Sequence, residues 1–528
     1  MEEAIKATGC ASHMNSLLDV TTTELTCQAC VIGSGPAGAL VALPLAERGM
    51  DVILVEAGNR DPAPLSSVPL AELDVDGAVD LSYAQALQLG GSSNLWAGRV
   101  ARMDVADFVE RPDIDSPTWP FPLSELSPYY ERALDILCMP SSAYYKELPR
   151  LPCSWKTFAA SDQVDIRYLM WSRPAFKVAE LVTKSDGKLA NLRVLTDAPV
   201  FDVTPNGDRR TIESVTVGRR QNHKTIKAQV FVLAAGGIES TRLLLCYARR
   251  HWRGEEGAIG RYFSTHPKAD LAVLWAKQPV SAGHPLFREA TSNGVQIRAG
   301  IGLSTATQIS IGTLNHSARL YPIAEYKAEK VFESIKSAAL RGAPIVNRSA
   351  RLRRLLIASG KMAFDRLGQA VRLQAKARTF VVRLNLDQHS NAENRLTLSE
   401  DCDREGRQLL NVRWRYDLAD RRSAMTFLDM LNGVLRAHDV GHLEYSYLRD
   451  SNSWPLTAVH SHFLGTTRMS NDPRQGVVDQ NCRVHQLHNL FIAGPSVFPR
   501  YGNANPFLTI AALSLRLSDH LSRVLGRE

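Results

Sequence analysis

Two groups of residues carry the chemistry this sequence can do. The first is His462, in the stretch SHFLGTTRMS from Ser461 to Ser470, where a histidine stands just ahead of a Gly-Thr-Thr turn. A neutral imidazole near pH 7 is suited to taking up a proton. The plainer reading is a histidine that only caps the turn. The second group lies near the start, in QACVIGSGPAGALVALPLAERGMDVILVEAG, which reads as an apolar strand, a glycine turn, a helix, a second strand and an acid. Gly33, Gly35 and Gly38 have the G-x-G-x-x-G spacing, with Ser34, Pro36 and Ala37 completing the turn. That spacing gives a tight turn, a backbone free to approach a pyrophosphate, and a close helix–strand contact with the helix N-terminus aimed at the phosphates. Glu56, followed by Ala57, ends the second strand, where a carboxylate can accept both ribose hydroxyls of an adenosine. The whole arrangement predicts a dinucleotide site. Pro44 inside the helix removes a backbone donor and predicts a local kink.

The elements that must position these groups are spread along the chain. A helix opened by Ser127-Pro128 is expected after a proline-punctuated stretch. LRVLTDAPVFDVTPNGDRRTIESVTV, residues 192–217, alternates like strands joined at Asn206-Gly207. AQVFVLAAGGIESTRLLL reads as a buried strand, a glycine turn and a helix, so the Rossmann-type sheet resumes there. NLFIAGPSVFPRYGNANPFLTIAALSLRLSDHL closes the chain with a strand, a glycine turn and a long helix. The expected fold class is therefore α/β: a discontinuous Rossmann-like domain with an inserted α+β substrate domain built on an antiparallel sheet. The expected segments are 25–125, 189–268 and 455–528 for the nucleotide domain. Residues 126–188 and 269–454 form the substrate domain, which carries a basic helical insertion at 317–383.

Composition narrows the function classes. A chain of 528 residues exceeds what one simple core supports and can enclose a large cofactor. The eight cysteines are scattered, and CQAC runs into an apolar strand pattern, so neither a disulfide framework nor a zinc site is expected. The acidic start lacks a signal-peptide pattern, and no run approaches a membrane span, so the reading is a cytoplasmic protein with at most peripheral membrane contact. Between Ser317 and Arg383 fifteen Lys and Arg stand against four Asp and Glu, a net of +11 within a total of +8, which leaves the rest at −3. No stacking aromatics accompany this charge, which argues against nucleic acid. Within 350–378, Leu352, Leu355, Leu356, Met362, Phe364, Leu367, Val371 and Leu373 recur at helical steps among basic residues. Such a helix either covers the substrate domain, lies on an anionic membrane face or meets a redox partner.

Taken together, the N-terminal fingerprint, GGSSNLW, LAAGGIESTRLLL with GRYFSTHP, and HFLGTTRM with the closing stretch resemble the glucose-methanol-choline (GMC) family of FAD-dependent alcohol oxidoreductases, over nearly the whole chain. The sugar and polyol branch of bacterial oxidases and dehydrogenases is the most similar. The resemblance implies that Gly90, Gly91, Ser92, Ser93 and Asn94, with Leu95 and Trp96 after them, lie against the flavin and pyrophosphate. It implies that Val200 holds the adenine by its backbone, that Ala235 sits in the turn beside the FAD, and that Gly494 flanks the ribityl chain. Some relatives attach their flavin through a histidine at the position of Leu95, so non-covalent FAD is expected here. The family's catalytic pair falls on His462 and Asn505. An amide orients a hydroxyl but cannot take its proton, which leaves His462 as the base for hydride transfer from an alcohol to flavin N5. Pro506 starts a helix whose positive end would face the flavin pyrimidine ring. His266, in STHP, and His460 are expected to pack or to support the site.

The implied partners are a small alcohol, of the sugar, glycoside or polyol class as expected from that branch, and an electron acceptor that is oxygen, a quinone or a redox protein. Rival readings are a sterol or simple alcohol oxidase of the same fold and a lyase that keeps FAD structurally. An NADPH-dependent flavin monooxygenase would need a second glycine motif, which LAAGGIES does not provide.

Overall fold

The computed structural model describes residues 14–61, 70–76, 86–114, 117–140, 151–219, 222–252, 256–281, 284–292, 294–323, 376–445, 454–459 and 462–526. His460 and nearly all of the amphipathic stretch at 350–378 lie outside them.

Runs of Val, Ile and Leu without polar alternation suit strands buried on both faces, and such strands build the first sheet. Met14–Ser16, Leu192–Thr196, Val52–Val55, Glu24–Ile32 and Asn222–Leu233 lie side by side and parallel. The first half of Asn222–Leu233 also pairs with Ile212–Arg219 in an antiparallel arrangement, while its last residues, Phe231 to Leu233, take Leu490–Ile492 in parallel. Sequence positions as far apart as Met14 and Ile492 thus share one sheet, and the Rossmann-like domain is discontinuous. Val200–Pro205 completes the Asn206-Gly207 hairpin, closed by Asn206 N donating to the Thr211 carbonyl.

A second sheet is antiparallel throughout. Its order is Gly441–Glu444, Pro267–Ser281, Lys376–Asn385, Ser317–Pro322, Val295–Leu303, Val164–Trp171 and Arg99–Val100, with Ala290–Ser292 and Leu456–Val459 attached at the sides. Arg99–Val100 follows the GGSSNLW loop directly, so that loop is tied to both sheets. Three strands, Arg395–Cys402, Gln408–Trp414 and Leu70–Val75, make a third sheet.

Two helices matter most for the site. Pro36–Glu47 starts at the glycine turn with Gly35 as its cap, and runs unbroken through Pro44. Every residue from Ala37 to Ala46 is buried. Phe507–Leu525, capped by Pro506, packs across it, with an ion pair of 2.5 Å between Arg48 and Asp519 at the rim. The expected helix at Ser127-Pro128 starts earlier, at Leu123, with Pro122 as its cap. Pro128 is accommodated inside it, and the Ser127 hydroxyl donates to the Leu123 carbonyl at 3.2 Å. One lost backbone bond is outweighed by burial of Leu126, Tyr130, Ala133 and Leu134 on one face.

Among the described residues no helix is long and apolar enough to cross a membrane, and no cluster of three or more His, Cys, Asp or Glu could hold a metal ion.

Candidate active site

The three glycines of the fingerprint do different work. A Cβ at Gly33, whose φ is +106°, would lie 2.5 Å from the Ala234 carbonyl oxygen, and one at Gly38 would lie 1.8 Å from the Gly33 carbonyl oxygen. Those two let strand, turn and helix close on one another. A Cβ at Gly35 would meet nothing within 4 Å, and the same holds for Gly236 and Gly494 beyond the ends of two neighbouring strands. Three bare backbone segments therefore border open space at the ends of the parallel strands. That is the cradle a dinucleotide needs.

Polar groups brace this cradle. The Glu56 carboxylate, 5% exposed, accepts from Ser34 N at 3.1 Å, from the Ser34 hydroxyl at 2.6 Å and from Gly58 N at 2.9 Å. Burial raises its pKa, and these hydrogen bonds oppose the rise. The Ser34 hydroxyl in turn accepts from Gly90 N at 3.0 Å, which joins the fingerprint to the GGSSNLW loop. Gly90 is left-handed, and a Cβ at Gly91 would lie 3.0 Å from Gly35 Cα. Ser93 and Asn94 use their side chains within the loop, on the Gly90 carbonyl and on the Leu89 and Gly91 carbonyls. Ser92 and Leu95 are exposed. Lys177, which the sequence did not single out, donates to the Ser93 and Asn94 carbonyls at 3.2 and 2.9 Å. Trp96 stacks on Phe507, ring centroids 3.9 Å apart, so the loop also touches the first turn of the C-terminal helix. Val200 pairs with Val217, and Ala235 N donates to the Ser240 hydroxyl.

The residues of GTTRM explain how His462 is held. Ser264 and Leu464 exchange backbone bonds of 3.1 and 3.0 Å, two residues from His266 and His462 respectively. Gly465 is left-handed, and a Cβ there would lie 2.3 Å from the Tyr262 carbonyl oxygen. Thr466 bonds Thr241 at 2.8 Å, and Thr467 donates to the Ser496 hydroxyl at 2.8 Å. Arg468 lies over the Tyr262 ring at 3.3 Å. The turn is thus fastened at three places, to Tyr262, Thr241 and Ser496.

The consequence is a histidine pair. His266 Nδ1 lies 3.0 Å from His462 Nδ1, and His266 Nε2 lies 3.2 Å from the Tyr501 carbonyl oxygen. A carbonyl only accepts, so His266 carries its proton on Nε2. Burial pushes the His266 pKa down to about 4, so the ring is neutral near pH 7 and Nδ1 is an acceptor. His462 must then donate from Nδ1. Burial, with repulsion from His266 and Lys268, holds His462 well below the ordinary imidazole range. In its neutral form the lone pair therefore resides on Nε2. His266, expected to pack or to support the site, is 3% exposed and meets His462 through its Nδ1. The loop from Tyr501 leads four residues on to Asn505, which precedes the cap of the C-terminal helix. A cavity of ≈ 20 Å³ beside Tyr501 is lined by Asp107, Asn315, Asp387 and Arg500 among others.

Comparison with known proteins agrees with this geometry. Residues 390–514 match the GMC oxidoreductase model, and residues 26–64 match an FAD binding domain. The chain is 25% identical over 334 residues to the fructose dehydrogenase large subunit of Gluconobacter japonicus, a match spanning 62% of this chain and about half, 53%, of that one. It is 24% identical to the paromamine 6'-oxidase of Streptomyces fradiae, over 92% of this chain and 89% of that one. The fold is similar to that of a crystal structure of pyridoxine 4-oxidase from Mesorbium loti, with TM-score 0.55 and 17% identity over 94% of this chain and 99% of that one.

Proposed function

We propose, from the match of residues 390–514 to the GMC oxidoreductase model and of residues 26–64 to an FAD binding domain, that the chain oxidises a CH–OH group of a sugar, glycoside or polyol, with His462 as the base. The observation that carries this reading is the Nδ1–Nδ1 contact of His266 and His462, which leaves the basic lone pair on His462 Nε2. FAD, when bound, supplies the hydride acceptor. The residues that would hold it are Gly33 to Gly38, Glu56 with Ala57, the Gly90 to Trp96 loop, Val200, Ala235, Gly494, Asn505 and Pro506, and the open backbone at Gly35, Gly236 and Gly494 fits such a group.

In this scheme His462 Nε2 accepts the hydroxyl proton of the substrate. Asn505 offers its amide to the same oxygen, fixing which carbon–hydrogen bond faces the cofactor. The helix that begins after Pro506 would turn its positive end toward charge that develops on the cofactor. The half-buried position of His462 keeps bulk water from competing for the proton.

The test is anaerobic stopped-flow reduction of the holoenzyme by a panel of sugars, polyols and glycosides. His462→Ala should retain FAD and lose reduction by about 10²–10⁴-fold or more, and Asn505→Ala should lose less. Reduction of the His462→Ala protein at the wild-type rate would remove the base assignment. A protein that no alcohol bleaches would instead fit a lyase with structural FAD.

A further inference from the structure

The second sheet turns one face to the core and the other to the histidine pair. On the core face Ala269, Leu384, Ala318 and Ile301 are paired across the ladders and at most 1% exposed. Ladder partners share a face, and alternate residues share it too. The opposite face therefore carries Lys268, Asn385 and Ser317 in one row and Asp270, Arg383 and Arg319 in the next. Lys268 stands two residues after His266, and its charge acts on both histidines. This is the face the catalytic pair looks onto.

Its positive charge is only partly balanced. Arg383 pairs with Asp270 at 2.7 Å. Arg319, 8% exposed, meets an amide instead: with the Asn385 amide turned so that its carbonyl faces the guanidinium, that carbonyl accepts from Nε at 3.0 Å and from Nη2 at 3.3 Å. Arg298, also 8% exposed, lies 3.8 Å over the Tyr321 ring and donates through Nη2 to the Leu320 and Phe287 carbonyls. Its buried Nε has no hydrogen-bond partner among the described residues, and the same is true of Nε of Arg99, whose guanidinium lies 5.4 Å over the Trp171 ring. Among the described residues none of Arg99, Arg298 and Arg319 forms an ion pair. They are close enough to repel: burial brings Arg319 down to about 10, Tyr321 opposes, and Arg99 and Arg298 push further down. Three such cations are destabilising unless an anion joins them.

We propose that Arg99, Arg298 and Arg319 form the subsite for an oxyanion, carboxylate or phosphate, carried by the substrate, so that the alcohol oxidised is a sugar acid or sugar phosphate. This rests on the alcohol-oxidising reading above. The Ser317 strand lies two ladder spacings from the Pro267 strand, about 10 Å, which suits a hexose with its anion remote from the carbon that faces His462. Planar guanidiniums also match the paired oxygens of either group.

The holoenzyme is tested with glucose, gluconate, glucuronate, glucose 6-phosphate and glucosamine as probes, by loss of the oxidised flavin band without oxygen. At least one anionic probe should exceed glucose in kcat/KM by about 10- to 100-fold, the range of one or two charge-assisted hydrogen bonds, and glucosamine should be poorest. Preference for gluconate or glucuronate identifies a carboxylate, and preference for glucose 6-phosphate identifies a phosphate. Arg298→Gln and Arg319→Gln should each shrink the anion-to-glucose ratio by about 10-fold with the flavin spectrum intact. Glucose equal to or better than all the anions, or a ratio unchanged in both variants, overturns the subsite. Titration with inorganic phosphate, read in the oxidised flavin spectrum and in thermal stabilisation, separates the two readings. A response weakened in Arg319→Gln but kept in His462→Ala supports the subsite even if no probe reduces the flavin, and no response in the wild type overturns it.

Discussion

His266 Nδ1 and His462 Nδ1 face each other at 3.0 Å, and a bond between two like nitrogens can hold only one proton. The Tyr501 carbonyl decides whose proton it is by claiming the other nitrogen of His266. On the proposed reading, His266 is thus a positioning residue for His462. His266→Leu should keep FAD and lower the rate of flavin reduction by about 10- to 100-fold, a share of a general-base term. His266→Asn, whose amide carbonyl can accept the same proton, should recover most of that loss. Equal rates in the two variants would show that packing alone is at stake.

The same pair sets a pH profile. Burial, and then His266 and Lys268, hold His462 below the usual imidazole pKa of about 6.5. Its neutral form, the one that accepts a proton, therefore persists as the pH falls through that value. The acid limb of kcat/KM should lie clearly below pH 6.5, and Lys268→Met should move it upward. A limb at or above the ordinary histidine range would contradict the burial argument.

Glycine substitutions should separate folding from cofactor binding. Gly35→Ala meets open space, so the apoprotein should keep its Tm while FAD affinity falls by two orders of magnitude or so, because the methyl group enters the cradle. Gly38→Ala meets the Gly33 carbonyl and should fail to accumulate as folded protein. Loss of folding in both, shown by circular dichroism, would mean that Gly35 is structural too.

FAD should be released on acid precipitation, since Leu95 provides no attachment point and is exposed at the end of its loop. Flavin remaining in the washed pellet would place a covalent link elsewhere.

Asp107 supplies a linkage test. Burial, then repulsion from Asp104 and Asp387, raises its pKa to about 8. A carboxyl whose folded pKa lies above its unfolded value binds its proton more tightly in the folded state, so stability falls as pH rises from about 4 toward 8. Asp387, raised to about 6, has the same sign over a narrower window. Asp107→Asn should therefore gain Tm relative to wild type steadily across that interval. A constant Tm difference from pH 5 to pH 8 would show that Asp107 is ionised throughout.

The sequence made plain what the backbone demands locally. Gly33, Gly35, Gly38 and Glu56 sit within one βαβ unit, where spacing alone dictates the turn, and Phe507–Leu525 announced itself by its apolar period and its proline. The His266–His462 contact joins positions 196 residues apart, and no periodicity encodes that. Nor does alternation in SARLYP or VQIRAGIGL say which face of the sheet meets the core. The arginine tier became visible only once the ladder register placed Arg298 and Arg319 opposite the buried Ala318 and Ile301 face. The Ser127-Pro128 helix start was misjudged because proline is tolerated inside a helix whose apolar face is well covered.

The packing of Pro36–Glu47 against Phe507–Leu525 bears on how the protein is made. The first of these helices is apolar all round, and the helix that packs on it follows only after more than 450 further residues. At about 5–20 residues per second, roughly half a minute to a minute and a half passes between them. During that time the glycine-loop helix has only the neighbouring strands and the helix Val178–Ser185 to pack on, and Leu490–Ile492 has not yet joined its sheet. The nascent chain therefore exposes one apolar side of that helix and cannot close the cofactor cradle until Phe507–Leu525 emerges. Chaperone demand lasts, and cofactor capture waits, until that helix is made.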